Sequence, residues 1–154
     1  MNLVRTLIGF LPLILLSMPA TSSQAEDLTA QESKNKNIVI DFYKKAIIEK
    51  DFEAAKKYFG DHYTQHNPLA PDGPDGLKGL VQILREKYPN SKTEIKRVFV
   101  DGDYVILHVH STREPGDRGT AIVDIFRLEN DKVVEHWDVI QPVPETAANK
   151  NSMF

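Results

Sequence analysis

The stretch that decides the fold is "TEIKRVFVDGDYVILHVHSTREPGDRGTAIVDIFRLENDKVVEHWDVIQ", residues 93–141. Three turn signals divide it: "DGD" at 101–103, "REPGDRG" at 113–119 and "END" at 129–131. Each lies between runs rich in β-branched and aromatic residues, which is the pattern of strands joined by short connections. The stretch therefore predicts four strands in an antiparallel meander.

Three helices are predicted upstream of these strands. Apolar residues recur with helical spacing over residues 38–47, and Asp51 is a candidate N-cap for a short helix that ends near Phe59. A third apolar stripe begins after Asp75, a second candidate cap, and stops before Pro89. Helices followed by strands predict an α+β fold, in which the helices cover one face of a strongly curved antiparallel sheet and enclose a pocket with it.

The first 25 residues have the composition of an export signal. A single positive charge in residues 1–5 precedes the apolar run "TLIGFLPLILL", and small residues near position 25 fit a signal-peptidase site. The run is shorter than a membrane-spanning helix and contains Pro12; an uncleaved anchor is the alternative. We expect a signal peptide at 1–25 and a periplasmic or secreted protein that keeps no membrane segment after cleavage.

One domain is predicted beyond the signal. A polar lead-in over 26–37 and a flexible tail over 142–154 contain little to bury, and they flank a domain over 38–141. The chain has no cysteine, so no disulfide stabilises it. Its formal net charge of −3 argues against a nucleic-acid partner, which would require a basic surface.

Alternation along the strands predicts which side chains face the pocket, because residues two apart in a strand point to the same side. We expect the even-numbered positions to face inward: Tyr104, Ile106, His108, His110, Ile122, Asp124, Phe126, Leu128, Val134, His136, Asp138 and Ile140. The odd-numbered face carries Val123, Ile125 and Trp137, which are apolar residues suited to a homodimer formed through the sheet.

Asp124 is the least expected residue of the inward set. Aspartate disfavours strands, and here Ile122 and Phe126 flank it on the same face. A carboxylate in such surroundings loses hydration, which raises its pKa and suits it to exchange a proton near neutral pH. The alternative is an aspartate at the rim of the sheet that reaches water or pairs with a lysine or arginine.

The segment "YTQHNP" at 63–68 opens a loop rich in proline and glycine. Loops on a rigid scaffold commonly carry the working side chains of a protein. Tyr63, His66 and Asn67 are therefore predicted to bind a substrate at the mouth of the pocket, whereas Gln65, one step out of phase, is not included. The alternative for His66 and Asn67 is a purely local turn before the proline.

Two motifs also carry a family resemblance: "YTQHNPLAPDGPDGLKGL" at 63–80 and "DIFRLENDKVVEHWDVIQPVP" at 124–144. Together they resemble the SnoaL-like branch of the nuclear-transport-factor-2-like (NTF2-like) superfamily, over nearly the whole mature chain. The resemblance implies a cone of helices on a bent sheet with a pocket at one end. It also implies acid/base chemistry of the aldol-cyclase type without metal or cofactor, with Asp124 as acid/base and His110 near it on the preceding strand.

The remaining inward polar and aromatic residues complete the predicted site. The substrate-binding set is Tyr63, His66, Asn67, His108, Phe126, His136 and Asp138. A metal alternative arises because His108 and His110 would lie about 7 Å apart on one face and could share an ion with His66 or His136. No carboxylate–histidine spacing typical of zinc enzymes accompanies them, so no metal is predicted.

Two functions from different classes remain open. The first is a cofactor-independent enzyme of aldol or cyclase, isomerase or dehydratase type, acting on a small carbonyl compound. The second is a non-catalytic periplasmic module that holds a small apolar ligand in the same pocket or serves for dimerisation. An enzyme requires Asp124 for function beyond fold stability, whereas a binding protein requires only the shape of the pocket.

Overall fold

In the computed structural model, which describes residues 27–154, three helices pack on a five-stranded sheet, as an α+β fold requires. The helices are α1 (Ala30–Tyr43), α2 (Phe52–Lys56) and α3 (Pro74–Glu86), and a π-helical segment, Lys44–Ile48, continues α1. The strands are β1 (Phe59–Gln65), β2 (Lys92–Asp101), β3 (Tyr104–Thr112), β4 (Thr120–Glu129) and β5 (Lys132–Pro142). The predicted fold class is confirmed, and the predicted signal peptide lies outside the described residues.

The sheet contains one strand more than predicted. Its order is β1-β5-β4-β3-β2, and the four predicted strands form the expected antiparallel meander. β1 joins the edge of this meander and runs parallel to β5, so the sheet is mixed rather than purely antiparallel. The prediction missed β1 because it contains few apolar residues, and its partner strand lies about seventy residues further along the chain.

Helix α1 begins at Ala30 rather than at Ile38. Thr29 and Glu32 form a capping box: the Thr29 hydroxyl accepts the Glu32 N–H at 3.1 Å, and the Glu32 carboxylate accepts the Thr29 N–H at 2.9 Å. Most of the predicted polar lead-in at 26–37 is therefore the first half of α1. Its Asn35 is buried and donates a hydrogen bond to the Gly102 carbonyl, which ties the helix to the turn between β2 and β3.

Helix α3 begins at Pro74 rather than after Asp75. Gly73, at a φ of 75°, is its N-cap, and Pro74 occupies the first turn, where a missing N–H costs nothing. Asp75, the predicted cap, lies inside the first turn, where its negative charge interacts favourably with the positive end of the helix dipole.

The predicted orientation of β3 is wrong. Its odd-numbered residues Val105, Leu107 and Val109 are fully buried, and the even-numbered histidines face the other side of the sheet. In the β3–β4 register Leu107 lies opposite Asp124, so odd positions of β3 share a face with even positions of β4. The prediction assumed that the even-numbered residues of β3 and β4 face the same side of the sheet. Which residues share a face depends on the register between the two strands, and the connection at 113–119 determines that register.

The core lies between α1 and the central strands. Phe42 on α1 makes edge-to-face contacts with Phe59, at a centroid distance of 5.3 Å, and with Phe126, at 5.8 Å. No helix within residues 27–154 is long and apolar enough to cross a membrane. The segment after β5 contains no helix or strand, yet its last residue, Phe154, stacks on His110 on the outer face of the sheet.

Candidate active site

A cavity of about 400 Å³ opens between the helices and the inner face of the sheet. Most of its wall is apolar, and this part includes Phe42, Ala46, Ile47, Leu77, Leu80, Ile83, Leu84, Ile122, Phe126 and Ile140. The polar wall is formed by Tyr43, Tyr63, Gln65, Asn67, Asp75, Ser111, Arg113, Asp124, His136 and Asp138. A mostly apolar cavity of this size with a few converging polar groups is typical of a small-molecule site.

Asp124 and His136 form a buried pair in the wall of this cavity. Asp124 lies on β4 and His136 on β5. Asp124 lies opposite Asp138 in the strand register, and His136 is two residues before Asp138, so all three side chains point to the same, inner face. His136 Nε2 lies 3.1 Å from Asp124 Oδ1, and the two residues are only 8% and 5% exposed. The second oxygen, Asp124 Oδ2, is buried and has no hydrogen-bond partner among residues 27–154.

Gln65 determines which nitrogen of His136 carries a proton. The Gln65 side-chain oxygen accepts the backbone N–H of Asn67 at 2.9 Å, so this atom is fixed as an acceptor. His136 Nδ1 lies 2.9 Å from the same oxygen and must therefore donate its own proton to it. When the imidazole is neutral, Nε2 is then a lone pair facing Asp124 Oδ1, so a hydrogen bond between these two atoms requires one further proton.

The environment of Asp124 favours its protonated form. Burial raises the pKa of Asp124 above its ordinary value. The hydrogen bond and charge of His136, with a smaller effect of the Tyr43 hydroxyl, oppose this rise, while the charge of Asp138 adds to it. A carboxyl group held between these influences is suited to both taking and releasing a proton.

Two tyrosine hydroxyls near this pair remain protonated donors. Burial, followed by the charge of Asp124, raises the pKa of Tyr43 well above its ordinary value. Tyr63 is affected in the same order and direction, and its pKa is also raised. Because both phenols line the cavity, they can donate hydrogen bonds to an oxygen atom that becomes negative during a reaction.

Asn67 holds the second carboxylate of the site. Its side-chain oxygen accepts the Leu69 N–H at 2.7 Å, which fixes the orientation of the amide. The amide nitrogen donates to both oxygens of Asp138, at 2.8 and 2.7 Å. Asn67 therefore contributes to the local turn, as one alternative held, and also orients a residue of the cavity.

His66 does not enter the cavity, contrary to the prediction. It follows β1 in extended geometry, so Tyr63, Gln65 and Asn67 point inward while His66 points outward. Its ring stacks on Trp137 with a centroid distance of 4.6 Å, and its Nε2 lies 2.8 Å from Glu135 Oε1. Gln65, which the prediction left out, was detectable from the same alternation once "YTQHN" is treated as a strand.

The two histidines of "HVH" also lie outside the cavity, on the outer face of β3. His110 Nε2 lies 2.9 Å from the carbonyl oxygen of Arg118, and the ring of Phe154 covers it at a centroid distance of 4.2 Å. His108 Nδ1 accepts a hydrogen bond from Arg97 at 3.0 Å. Neither side chain approaches Asp124, so the placement expected for His110 as its neighbour is wrong, and His136 occupies that position.

The other predicted residues come together as expected. Tyr63, Asn67, Asp124, Phe126, His136 and Asp138 all line the one cavity. Within the described part of the chain, Asp124, His136 and Asp138 are also the group that could hold a metal ion, since each offers a ligand atom and these atoms lie within 4.8 Å of one another. The metal alternative drawn from "HVH" is wrong in geometry. His136 lies on the opposite face of the sheet from the two histidines, and His66 stacks on Trp137 of β5, which β4 separates from β3.

The SnoaL-like domain family matches residues 39–136 of the chain. No curated protein matches the sequence. A protein of Bacillus cereus ATCC 10987, proposed to be a polyketide cyclase, has a similar structure with a TM-score of 0.63; the two are 24% identical, and the alignment covers 73% of this chain and 78% of that one.

Two further solved structures show the same likeness of fold. A proposed ketosteroid isomerase of Kribbella flavida DSM 17836 has a TM-score of 0.62 at 14% identity, with 77% of this chain and 86% of that one covered. An NTF2-like protein of unknown function from Cytophaga hutchinsonii ATCC 33406 has a TM-score of 0.57 at 19% identity, with 77% and 96% covered. These likenesses establish the NTF2-like fold, and because the family match spans more than half of the sequence, the chain belongs to the SnoaL-like domain family.

Proposed function

We propose that the protein is a cofactor-independent acid–base enzyme that removes and returns a proton on a carbon next to a carbonyl group of a small molecule. The observation that carries this proposal is the buried Asp124–His136 pair, whose facing oxygen and nitrogen atoms lie 3.1 Å apart in the wall of a largely apolar cavity. Solvent exclusion strengthens the effect of the hydroxyl and amide groups that face the same space. Proton transfer of this kind is the first step shared by aldol, isomerase and dehydratase reactions.

In this mechanism the charged form of the pair is the base. Asp124 is then a carboxylate and His136 holds the shared proton at Nε2. The unpartnered Oδ2 of Asp124 takes the proton from the substrate carbon, and the electrons of that C–H bond move toward the carbonyl oxygen to form an enolate. The hydroxyls of Tyr43 and Tyr63 donate hydrogen bonds to the enolate oxygen. Asp124 then returns its proton to a carbon or oxygen of the product.

A direct test is deuterium exchange catalysed by the protein. The purified chain is incubated in D₂O with simple ketones and oxo acids, and loss of the signal of the protons next to the carbonyl is followed by NMR. Exchange faster than with an equal concentration of free imidazole and acetate supports the proposal. Binding of the same compounds without faster exchange would instead support a ligand-binding protein.

That second function is favoured by one specific observation. Four large apolar side chains around the cavity are exposed: Leu69 at 88%, Ile140 at 47%, Ile83 at 44% and Leu80 at 37%. Such a rim suits an apolar ligand that extends beyond the cavity, whether or not it is transformed. The exchange experiment separates the two functions, because shape and apolar contact alone provide no proton acceptor.

Metal removal is expected to leave the protein unchanged. In the proposed mechanism Asp124 and His136 share a proton, and both oxygens of Asp138 accept hydrogen bonds from Asn67, so hydrogen bonds already occupy most of the atoms that could bind a cation. Treatment with a chelator should alter neither the melting temperature nor the exchange rate. One zinc, iron or manganese ion per chain by elemental analysis, lost in His136→Ala, would contradict the metal-free mechanism.

Export is a further part of the proposal, supported by the charge, apolar run and small-residue site in residues 1–25. The mature protein in the periplasm or medium is expected to begin near Glu26. Intact-mass measurement of protein from those fractions checks this. Recovery of the full 17.4 kDa chain from the membrane fraction would favour an uncleaved anchor instead.

We also propose a homodimer formed through the outer face of the sheet. This face exposes Phe99 at 55%, Tyr104 at 41% and Val139 at 67%, next to the stacked rings of His66 and Trp137. Exposed apolar side chains on a continuous sheet surface are typical of an interface. Light scattering of the purified protein measures the mass directly, and a monomeric mass at high concentration would contradict this arrangement.

A further inference from the structure

We propose that Arg113 is an anion-binding residue at the mouth of the cavity, so that the ligand is a carbonyl compound that also bears a carboxylate group. The carbonyl end of this assignment rests on the proposed function, because it places the carbonyl at Asp124 and His136. The carboxylate end rests on Arg113 alone. The ligand would thus be an oxo acid whose two functional groups are separated by an apolar segment.

Arg113 reaches the cavity because it continues the inward face of β3. Leu107, Val109 and Ser111 point inward, and Arg113 follows two residues later at the exposed end. Its guanidinium group lies over the ring of Tyr88, 5.3 Å from the ring centroid, which limits the directions it can adopt. Its backbone N–H is bound by Asp117 Oδ2 at 3.0 Å, so the main chain at this point is also held.

No carboxylate neutralises Arg113 within the described part of the chain. Asp75 lines the same cavity, yet no acidic oxygen of residues 27–154 lies within 4.0 Å of the guanidinium group. By contrast, Arg127 is paired with two glutamates on the outer face. Among the described residues that line the cavity, Arg113 is the only lysine or arginine. The N–H groups of its planar guanidinium group are therefore available to a ligand.

The cavity is therefore polar at two ends. Leu107 lies beside Asp124 in the sheet, and Arg113 follows six residues later, which corresponds to roughly 20 Å of extended strand before the long arginine side chain reaches back. Ile122 and Ile140 lie opposite each other on β4 and β5, two residues beyond Asp124 and Asp138 in the direction of Arg113, and form apolar wall between the two ends. The charge of Arg113 also lowers the pKa of Tyr43, against the larger effect of burial, so its field reaches the inner end.

The charges favour a carboxylate over a phosphate monoester. One guanidinium group balances the single charge of a carboxylate through two parallel hydrogen bonds. A phosphate monoester at neutral pH carries more negative charge than one arginine balances. The excess negative charge of the phosphate would be repelled by Asp75 and Asp138, which line the same cavity.

The test compares two oxo acids with their methyl esters. The probes are 5-oxo-5-phenylpentanoate and 7-oxo-7-phenylheptanoate, which place the carboxylate at two distances from the ketone, and binding is measured by calorimetry. We expect at least one acid to bind the unmodified protein roughly tenfold more tightly than its ester, with a smaller difference at high salt. Arg113→Gln should remove this difference while changing the affinity for the ester by less than about twofold.

Two variants serve as controls. Arg113→Lys keeps the charge but not the two-pronged donor geometry, and should retain part of the preference. Arg118→Gln removes a nearby arginine that does not line the cavity, and should retain all of it. Melting temperatures verify that each variant is folded. Equal binding of acid and ester by the unmodified protein, absence of binding by all four compounds, or a preference that persists in Arg113→Gln would overturn the proposal.

Failure of the anion site and failure of the proposed function give different results. An acid preference that depends on Arg113, without deuterium exchange next to the ketone, supports the anion site and contradicts the acid–base enzyme. Exchange that proceeds equally with acids and esters supports the acid–base enzyme and contradicts the anion site.

Discussion

Asp124→Asn is expected to reduce deuterium exchange by at least roughly a hundredfold, which is the usual effect of losing a general base. Asparagine has the shape of protonated aspartate, and its amide nitrogen can donate to His136 Nε2, which is fixed as an acceptor by the contact of Nδ1 with Gln65. The fold should therefore remain, while the group that titrates is lost. NMR exchange rates and the circular dichroism spectrum of both proteins check the two halves of this expectation.

The same substitution should stabilise the protein at neutral pH. Burial raises the pKa of Asp124 in the folded state above its unfolded value of about 3.9, so ionisation opposes folding. The penalty is absent below the unfolded pKa, increases as the pH rises through the folded pKa, and is fully present above it. Asp124→Asn should thus gain unfolding free energy at pH 8 relative to its difference at pH 4, by about 1.4 kcal/mol for each pH unit by which the folded pKa exceeds the unfolded pKa.

Asp61→Asn is the matched control, since Asp61 is exposed on β1 and does not line the cavity. It should leave the exchange rate unchanged. A version of Asp124→Asn that is clearly less stable than the unmodified protein at pH 8 would identify Asp124 as a structural ion-pair partner of His136. The acid–base proposal would then lose its base.

The inner wall of the site could be predicted where strand alternation was clear. Asp124 and Phe126 follow from the alternation of β4, and His136 follows from that of β5. The even positions of the two strands share a face only because the register shifts after the turn: Leu128 pairs with Val133, whereas Arg127 pairs with Glu135 and Phe126 with His136. The same reasoning failed for β3, whose longer connection sets a different register. Its own alternation of buried aliphatic residues with histidines was the better guide.

Long-range pairing explains most of what the sequence did not reveal. β1 is a strand because β5 binds its edge, and no local pattern of "FGDHYTQ" predicts this. The position of His136 beside Asp124, which the family resemblance had suggested for His110, also depends on strand register. The start of α1 is different in kind: the capping box of Thr29 and Glu32 is legible in the sequence, and the polar composition of the first turns obscured it.

The role of Gln65 leads to the second large effect. Gln65→Leu removes the acceptor that holds the proton on His136 Nδ1 and also frees the Asn67 N–H. The neutral imidazole can then place its proton on either nitrogen, and the imidazolium of the proposed charged pair loses the acceptor of its Nδ1 proton, which makes that reactive form less favourable. We expect the exchange rate at saturating ketone to fall on the order of 10- to 100-fold, because an incorrectly oriented or protonated imidazole is a poor partner in proton transfer.

Three measurements distinguish this positioning role from a loss of stability. Nitrogen-15 shifts of His136 report which ring nitrogen is protonated, and should change from Nδ1–H in the unmodified protein to a mixture in Gln65→Leu. Gln65→Glu restores an acceptor and should recover most of the rate, with a pH profile shifted because the added carboxylate favours the imidazolium form. His66→Leu alters the adjacent residue, which lies outside the cavity, and should leave both the rate and the tautomer unchanged. A Gln65→Leu protein that keeps the Nδ1–H tautomer and its exchange rate would show that another group orients His136. The assignment of the Nδ1 proton to the contact with Gln65 would then be wrong.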